Sequence, residues 1–227
     1  VLEGPAGMGA AMSGNADWRK ATSGLGEIYN IEAITFKNHG CCGHTFAAID
    51  GLLFIMRDAQ ITANDIANIA IATYGPAVSI TDRVDPKTPQ ECKFSMQYVL
   101  AHAAHYGSVR IKAFEAERIA NPAIRAMLGQ INLGIDPAVD AEFPSRRAAH
   151  VSVTTKDGRQ LTHYQPTRKG DPDLPLSDDE LDAKFIELTN PVLGSVLTNS
   201  LLQKLWQLDD ISLATALDFA VLRSDRP

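Results

Sequence analysis

The dipeptide Asp157-Gly158 limits the possible folds of this chain more than any other feature. It lies between Val151 and Val153, which alternate with polar residues, and Leu161 with His163 or Tyr164, where the alternation resumes. Tight hairpin turns require backbone angles that Gly adopts without strain and that match the twist of paired strands. An antiparallel hairpin is therefore expected across Lys156 to Arg159. Ile69, Ile71 and Thr73 alternate in the same way and stop at Gly75-Pro76, which adds a further strand. A sheet with one apolar face needs another layer over that face.

Helical patterns supply the cover. Thr45 opens a helix running to about Ala59, with Phe46, Ile49, Leu53 and Met56 on one apolar face, and Thr62 to Asp65 forms another helix start. Ile80 to Cys92 has little periodicity and reads as a surface loop. It leads into a helix from Phe94 to Tyr106 that Gly107 closes. Phe94, Tyr98, Ala101 and His105 share a stripe on that helix, and His102 falls off it, toward solvent. Asn121-Pro122 starts a helix that the pattern carries to roughly Asn132. Thr167 to Pro175 is charged and proline-rich, as a crossing between parts of the chain would be. Ser177 and Glu180 make a capping box for a helix bearing Leu181, Phe185 and Leu188, and a second helix follows Pro191 with Val192, Val196 and Leu205. Strand, helix and hairpin in the middle with helices at the end predict an α+β chain, a small mixed region followed by an all-helical one.

Composition narrows the function. The 227 residues are 45% hydrophobic and 21% charged, enough for one or two buried cores and unlike a disordered chain. A net charge of −6 gives no basic footprint for nucleic acid, and the Arg146-Arg147 pair reads as solvated surface. No apolar run reaches the length of a membrane helix. Three cysteines without a framework fit a reducing compartment, so a cytoplasmic location is expected. The glycines at 4, 7, 9 and 14 resemble a phosphate loop at first, but Ala10 and Met12 stand where the fingerprints need other residues.

Chemistry is concentrated in Phe36-Lys37-Asn38-His39-Gly40-Cys41-Cys42-Gly43-His44. Of the six His and three Cys in the chain, two of each fall between Lys37 and His44. A zinc site would have suitable ligand types, yet structural zinc motifs space their ligand pairs and need a second pair elsewhere, so no metal is assigned. Adjacent cysteines bridge only with strain. The cluster is then either a glycine-rich turn with packed thiols and hydrogen-bonded imidazoles, or an acid/base site. Lys and His are the side chains whose protonation burial and nearby charge bring close to neutrality, and Gly40 and Gly43 let the backbone approach a ligand.

Lys-x-x-x-Cys-Cys before a helix carrying Ala47-Ala48-Ile49-Asp50 resembles the MmgE/PrpD family, which includes 2-methylcitrate dehydratases, cis-aconitate decarboxylases and iminodisuccinate epimerases. Leu2-Glu3-Gly4-Pro5, Lys93-Phe94-Ser95-Met96-Gln97-Tyr98-Val99, Lys169-Gly170-Asp171-Pro172 and Lys184-Phe185 resemble later segments of the family in the same order. The resemblance implies a small mixed lid domain over 35–166, set between the end of a helical domain at 1–34 and a helical segment at 167–227. It also implies dimers. Many members carry a histidine nine residues after the lysine, where this chain has Phe46, so His39 and His44 both become heirs to that role. The chain opens on Val1 without methionine, and the resemblance would place that point midway through a longer enzyme. A preceding helical domain or a second chain is accordingly the expected partner.

What the resemblance implies for activity is a lyase that eliminates water from a small hydroxylated di- or tricarboxylate, with no cofactor. Lys37 would stabilise charge or bind carboxylate, and His39 or His44 would transfer the proton. Tyr98 would orient substrate, and Cys41 and Cys42 would line its site as packing groups. An epimerase acting on an imino- or amino-dicarboxylate is the alternative, and a non-catalytic interaction module a further one.

Overall fold

The computed structural model describes residues 3–208. The chain divides into two compact units, 1–35 and from Phe36 onward. The first unit holds one short helix, α1 (Met8–Met12), and turns of 3-10 helix at Trp18–Lys20 and Asn30–Ala33. Asp17 caps the first of these turns by accepting from the Arg19 backbone N–H at 3.2 Å.

The second unit is built on a mixed four-stranded sheet in the order β2-β1-β3-β4. Its elements run α2 (Phe46–Asp58), β1 (Ile66–Thr73), α3 (Gly75–Thr81), α4 (Pro89–Lys93), α5 (Met96–Tyr106), α6 (Ala116–Ile119), α7 (Pro122–Met127), β2 (Ile131–Ile135), α8 (Pro137–Ala141), β3 (Ala149–Thr155), β4 (Gln160–Gln165) and α9 (Asp178–Trp206). β1 pairs in parallel with β2, Ile71 opposite Leu133, and antiparallel with β3, Ile71 opposite Val151. The hairpin β3-β4 places Val151 opposite His163 and turns through Gly158 at φ 91°. Mixed strands followed by a helical end give the α+β class that the patterning predicts.

The core lies between the sheet and α2 with α5. Ile69, Ile71, Val151 and Val153 face Phe46, Ile49 and Leu52, all with at most 2% of their surface exposed. Gly51 has a specific reason to be glycine. A Cβ there would come within 2.7 Å of Val151 Cγ2, so its absence lets α2 settle directly on β3. The close approach offsets the roughly 1 kcal/mol that a helical glycine costs.

Local signals placed several boundaries well. Thr62 and Asp65 form a capping box, Gly107 closes α5 with a left-handed backbone, and Ser177 with Glu180 caps α9. Four expectations need correction. Ile80 to Cys92 is not a loop throughout, because α3 extends to Thr81 and Thr88 with Glu91 forms a capping box that starts α4 at Pro89. The helix expected to reach Asn132 ends at Met127, because Ile131 to Ile135 pairs beside β1 and the ladder outweighs helical continuation. His102 does not face solvent. It is 3% exposed, because α5 packs against both α2 and α7 and buries more than one stripe. Finally, the break in the last helix falls at Gly194, φ 73° and ψ 163°, rather than at Pro191, which stays within α9.

Candidate active site

The segment from Phe36 to Thr45 crosses the unit as an extended strap, and backbone hydrogen bonds fix its course. The Phe36 N–H donates to Gly170 O at 2.8 Å, the Gly40 N–H to Val109 O at 2.8 Å and the Cys42 N–H to Lys93 O at 2.9 Å. Gly170 holds φ +100°, and any side chain there would run into the Phe36 carbonyl. The strap then coils into a 3-10 turn at Gly43–Thr45 and enters α2, with the Thr45 hydroxyl donating to Cys42 O at 2.8 Å. Two loops and the end of α4 thus hold the cluster in place.

On one side of the strap, Lys37 and His39 converge on Phe46. The Lys37 ammonium lies 5.9 Å from the Phe46 ring centre, and the His39 ring meets the same ring edge-on at 5.2 Å. His39 is 4% exposed and its Nε2 faces Asp50 Oδ1 at 3.5 Å. The other Asp50 oxygen accepts from the Lys169 backbone N–H at 2.7 Å. A carboxylate tied to a backbone donor is a fixed orienting group for an imidazole.

More cations gather at the same place. Lys184 Nζ donates to Lys37 O at 2.5 Å, and burial, then Arg110 and Lys37, push its pKa down. Arg110 pairs with Glu187 at 3.1 Å and donates to Asn38 Oδ1 at 3.2 Å. Lys37, Arg110 and Lys184 line a hollow of about 260 Å³ together with His39. Asn38, His39 and Arg110 form the wall between that hollow and a larger cleft of about 640 Å³, which also holds Asp50, Arg57, His163 and Lys169. In the larger cleft His163 stacks on Phe54 at 4.0 Å. Its Nε2 lies 3.0 Å from Gln165 Oε1, and the Gln165 amide donates to Thr167 O at 2.7 Å. That chain makes the His163 Nε2 the donor and leaves Nδ1 as the acceptor.

His44 sits apart from this group. Its Nδ1 is 2.9 Å from the Tyr74 hydroxyl, and Tyr74 stacks on Phe143 at 4.7 Å. Burial, then the charges of Arg147 and Arg168, push the His44 pKa down. The two imidazoles of the cluster therefore serve different surroundings.

The thiols and Tyr98 take up quieter positions. Cys41 is buried against the Thr45 hydroxyl at 3.2 Å, and burial pushes its thiol up to about 12. Cys42 is half-buried. Tyr98 is fully buried, its hydroxyl donates to Ala113 O, and burial raises its pKa above the usual range. Among the described residues, no three His, Cys, Asp or Glu side chains come together as a metal site, and no helix is long and apolar enough to cross a membrane.

Asp50, Arg110, His163 and Lys184 carry no role in the sequence pattern alone. Asp50 and Lys184 lie within Ala47-Ala48-Ile49-Asp50 and Lys184-Phe185, where an acid after an apolar run and a lysine beside an aromatic are the available signals. Arg110 and His163 reach the cleft through a loop and an edge strand, and only the tertiary fold brings them in.

Residues 39–208 match the model of the MmgE/PrpD C-terminal domain. The chain is 28% identical over 174 residues to cis-aconitate decarboxylase of Mus musculus, covering 75% of this chain and 35% of that protein. It is 29% identical over 147 residues to the Homo sapiens cis-aconitate decarboxylase, covering 63% and 30% of the two. It is 31% identical over 105 residues to 2-methylcitrate dehydratase of Cupriavidus necator, covering 44% and 22%. The chain therefore spans about a third or less of the length of these relatives. With the family's C-terminal domain matched across three quarters of its length, this chain belongs to the MmgE/PrpD family.

Proposed function

We propose that the chain carries the catalytic lid of a lyase that eliminates water from a small hydroxylated di- or tricarboxylate. The observation behind this reading is the gathering of Lys37, Arg110 and Lys184 around one hollow whose wall is His39, itself faced by Asp50. Carboxylates are recognised by such cations, and negative charge grows beside a carboxylate when its neighbouring carbon loses a proton. His39 takes that proton, with Asp50 stabilising the imidazolium and Lys37 the charge on the substrate. The C–O bond to the hydroxyl then breaks, the electron pair of the former C–H bond becomes the alkene, and the hydroxyl leaves as water with the proton returned by the His39 imidazolium. The rest of the pocket comes from outside this chain, in a helical domain or a second copy.

Decarboxylation is a second reading, favoured by the longer matches to proteins named cis-aconitate decarboxylase. The same cations would hold the remaining carboxylates, and the histidine would return a proton to carbon. The experiment that tests the site is Lys37→Ala in the full protein. Its ammonium is on the surface side of Phe46, so the melting temperature should stay nearly unchanged while turnover falls by at least about a hundredfold. A variant that turns over normally removes Lys37 from the reaction.

A further inference from the structure

We propose that Arg147, with Arg168 beside it, frames a second oxyanion site next to His44 that takes a single carboxylate or phosphate group and is distinct from the Lys37 hollow. Arg146, Arg147 and Arg168 line one small cavity of about 190 Å³ with Ser145, Thr167 and two carboxylates, Asp171 and Asp173. None of the residues around the Lys37 hollow lines it. It borders the larger cleft only through Pro166, Thr167 and Asp173.

The three guanidiniums are not in the same condition. Arg168 is held by Asp171, with Nε and Nη2 donating to the carboxylate at 2.9 and 2.6 Å, and its Nη1 comes within 3.3 Å of where a Gly43 side chain would begin. Arg146 is largely exposed and lies 3.7 Å from Glu142. Arg147 is half-buried, rests 5.9 Å from the Phe143 ring centre, and has no hydrogen bond or ion pair among the described residues. A half-buried guanidinium offers five donors in a fork that fits carboxylate and phosphate oxygens. Its neighbours strengthen the case. His44 and Tyr74 both feel the positive charge of Arg147 and Arg168, and at Tyr74 that effect exceeds the opposing one of Asp171. An anion placed there would meet Arg147 beside Ser145 and Arg146, while the Thr167 hydroxyl donates to Asp171 Oδ2 at 3.3 Å.

The test is titration of the full chain with inorganic phosphate, and separately with tricarballylate, by calorimetry at constant ionic strength. Arg147→Gln should weaken binding about tenfold or more, the loss of one charge-assisted pair. Arg147→Lys should fall between it and the parent, and it carries the test if the glutamine variant does not fold. Arg146→Gln should change affinity less than about threefold, as an exposed charge acting through water does. Lys37→Ala should leave the Arg147-dependent part of the phosphate binding unchanged, which separates this site from the lyase reading. Tricarballylate that displaces phosphate in an Arg147-dependent way identifies a carboxylate as the occupant, and phosphate binding alone identifies a phosphate group. No saturable binding of either anion would overturn the proposal. So would equal losses for Arg146→Gln and Arg147→Gln, or loss of the Arg147-dependent phosphate binding in Lys37→Ala.

Discussion

Asp50→Asn separates the orienting role of this carboxylate from its structural one. Asp50 is mostly buried, with its side chain 12% exposed, and its two oxygens serve different partners, His39 Nε2 at 3.5 Å and the Lys169 backbone N–H at 2.7 Å. Asparagine keeps an acceptor for Lys169 but has no charge to stabilise an imidazolium. On stability, exchanging a charged acceptor for a neutral one costs about 1 kcal/mol, which lowers the melting point by roughly 2–4 °C for a chain of this size. On catalysis the loss is larger. A positioned acid/base group contributes about 10²- to 10⁴-fold, so kcat should fall at least about a hundredfold. Asp50→Ala sharpens the contrast, because it also strands the Lys169 N–H and costs a further ~1–3 kcal/mol. The two variants should then differ in melting temperature but have about the same kcat. Circular-dichroism melts with steady-state turnover of the full protein measure both. An Asp50→Asn protein within about threefold of the parent kcat would refute the claim that Asp50 works through His39.

Two further outcomes follow from the structure. Gly170→Ala should destabilise by at least ~1–3 kcal/mol, since the position has φ +100° and abuts the Phe36 carbonyl. Because the Phe36 N–H to Gly170 bond sets the start of the strap, turnover measured on the folded fraction should also drop, and unchanged turnover there would mean that Lys37 is positioned otherwise. Protonation of His102 should be visible in stability against pH. Burial holds its pKa near 4 although Nδ1 donates to Ser108 O, and Arg118 and His105 push the same way, so between about 6.5 and 4 the unfolded chain binds more protons than the folded one. Stability should therefore decline as pH falls through that window, and a His102→Gln protein should show a shallower decline. Equal slopes in denaturant titrations across that range would count against it.

How far the sequence could be read depended on whether a signal was local. Asp157-Gly158, Thr62 with Asp65 and Ser177 with Glu180 each satisfy backbone donors or turn angles within a few residues, so their elements form where the pattern puts them. Ile131, Leu133 and Ile135 alternate as a strand should, but the preceding Asn121-Pro122 start carries the expected helix to roughly Asn132, over the first of them. Only the parallel partner β1, far back in the chain, decides the matter. The site shows the same division. Lys37, His39, Cys41, Cys42 and His44 stand out by their density, yet the strap sends His39 toward Asp50 and His44 toward Tyr74, and no spacing rule separates the two. Arg110 and His163 were invisible because each is an ordinary residue until the sheet and the loop after α5 bring it to the cleft. Tyr98 carried the opposite lesson, since its place in a recognisable motif went with a fully buried position rather than a cleft.

The most direct test of the lyase account is to follow the carbon skeleton. The full protein, given 2-methylcitrate or a related hydroxy-tricarboxylate, should produce an unsaturated acid, seen as new ultraviolet absorbance and the loss of one water by mass, and Lys37→Ala should remove both signals. Release of carbon dioxide from an unsaturated tricarboxylate without water elimination would move the assignment to decarboxylation. Material returned at unchanged mass with altered optical rotation, and no unsaturated acid at any time, would contradict the lyase account and favour an epimerase.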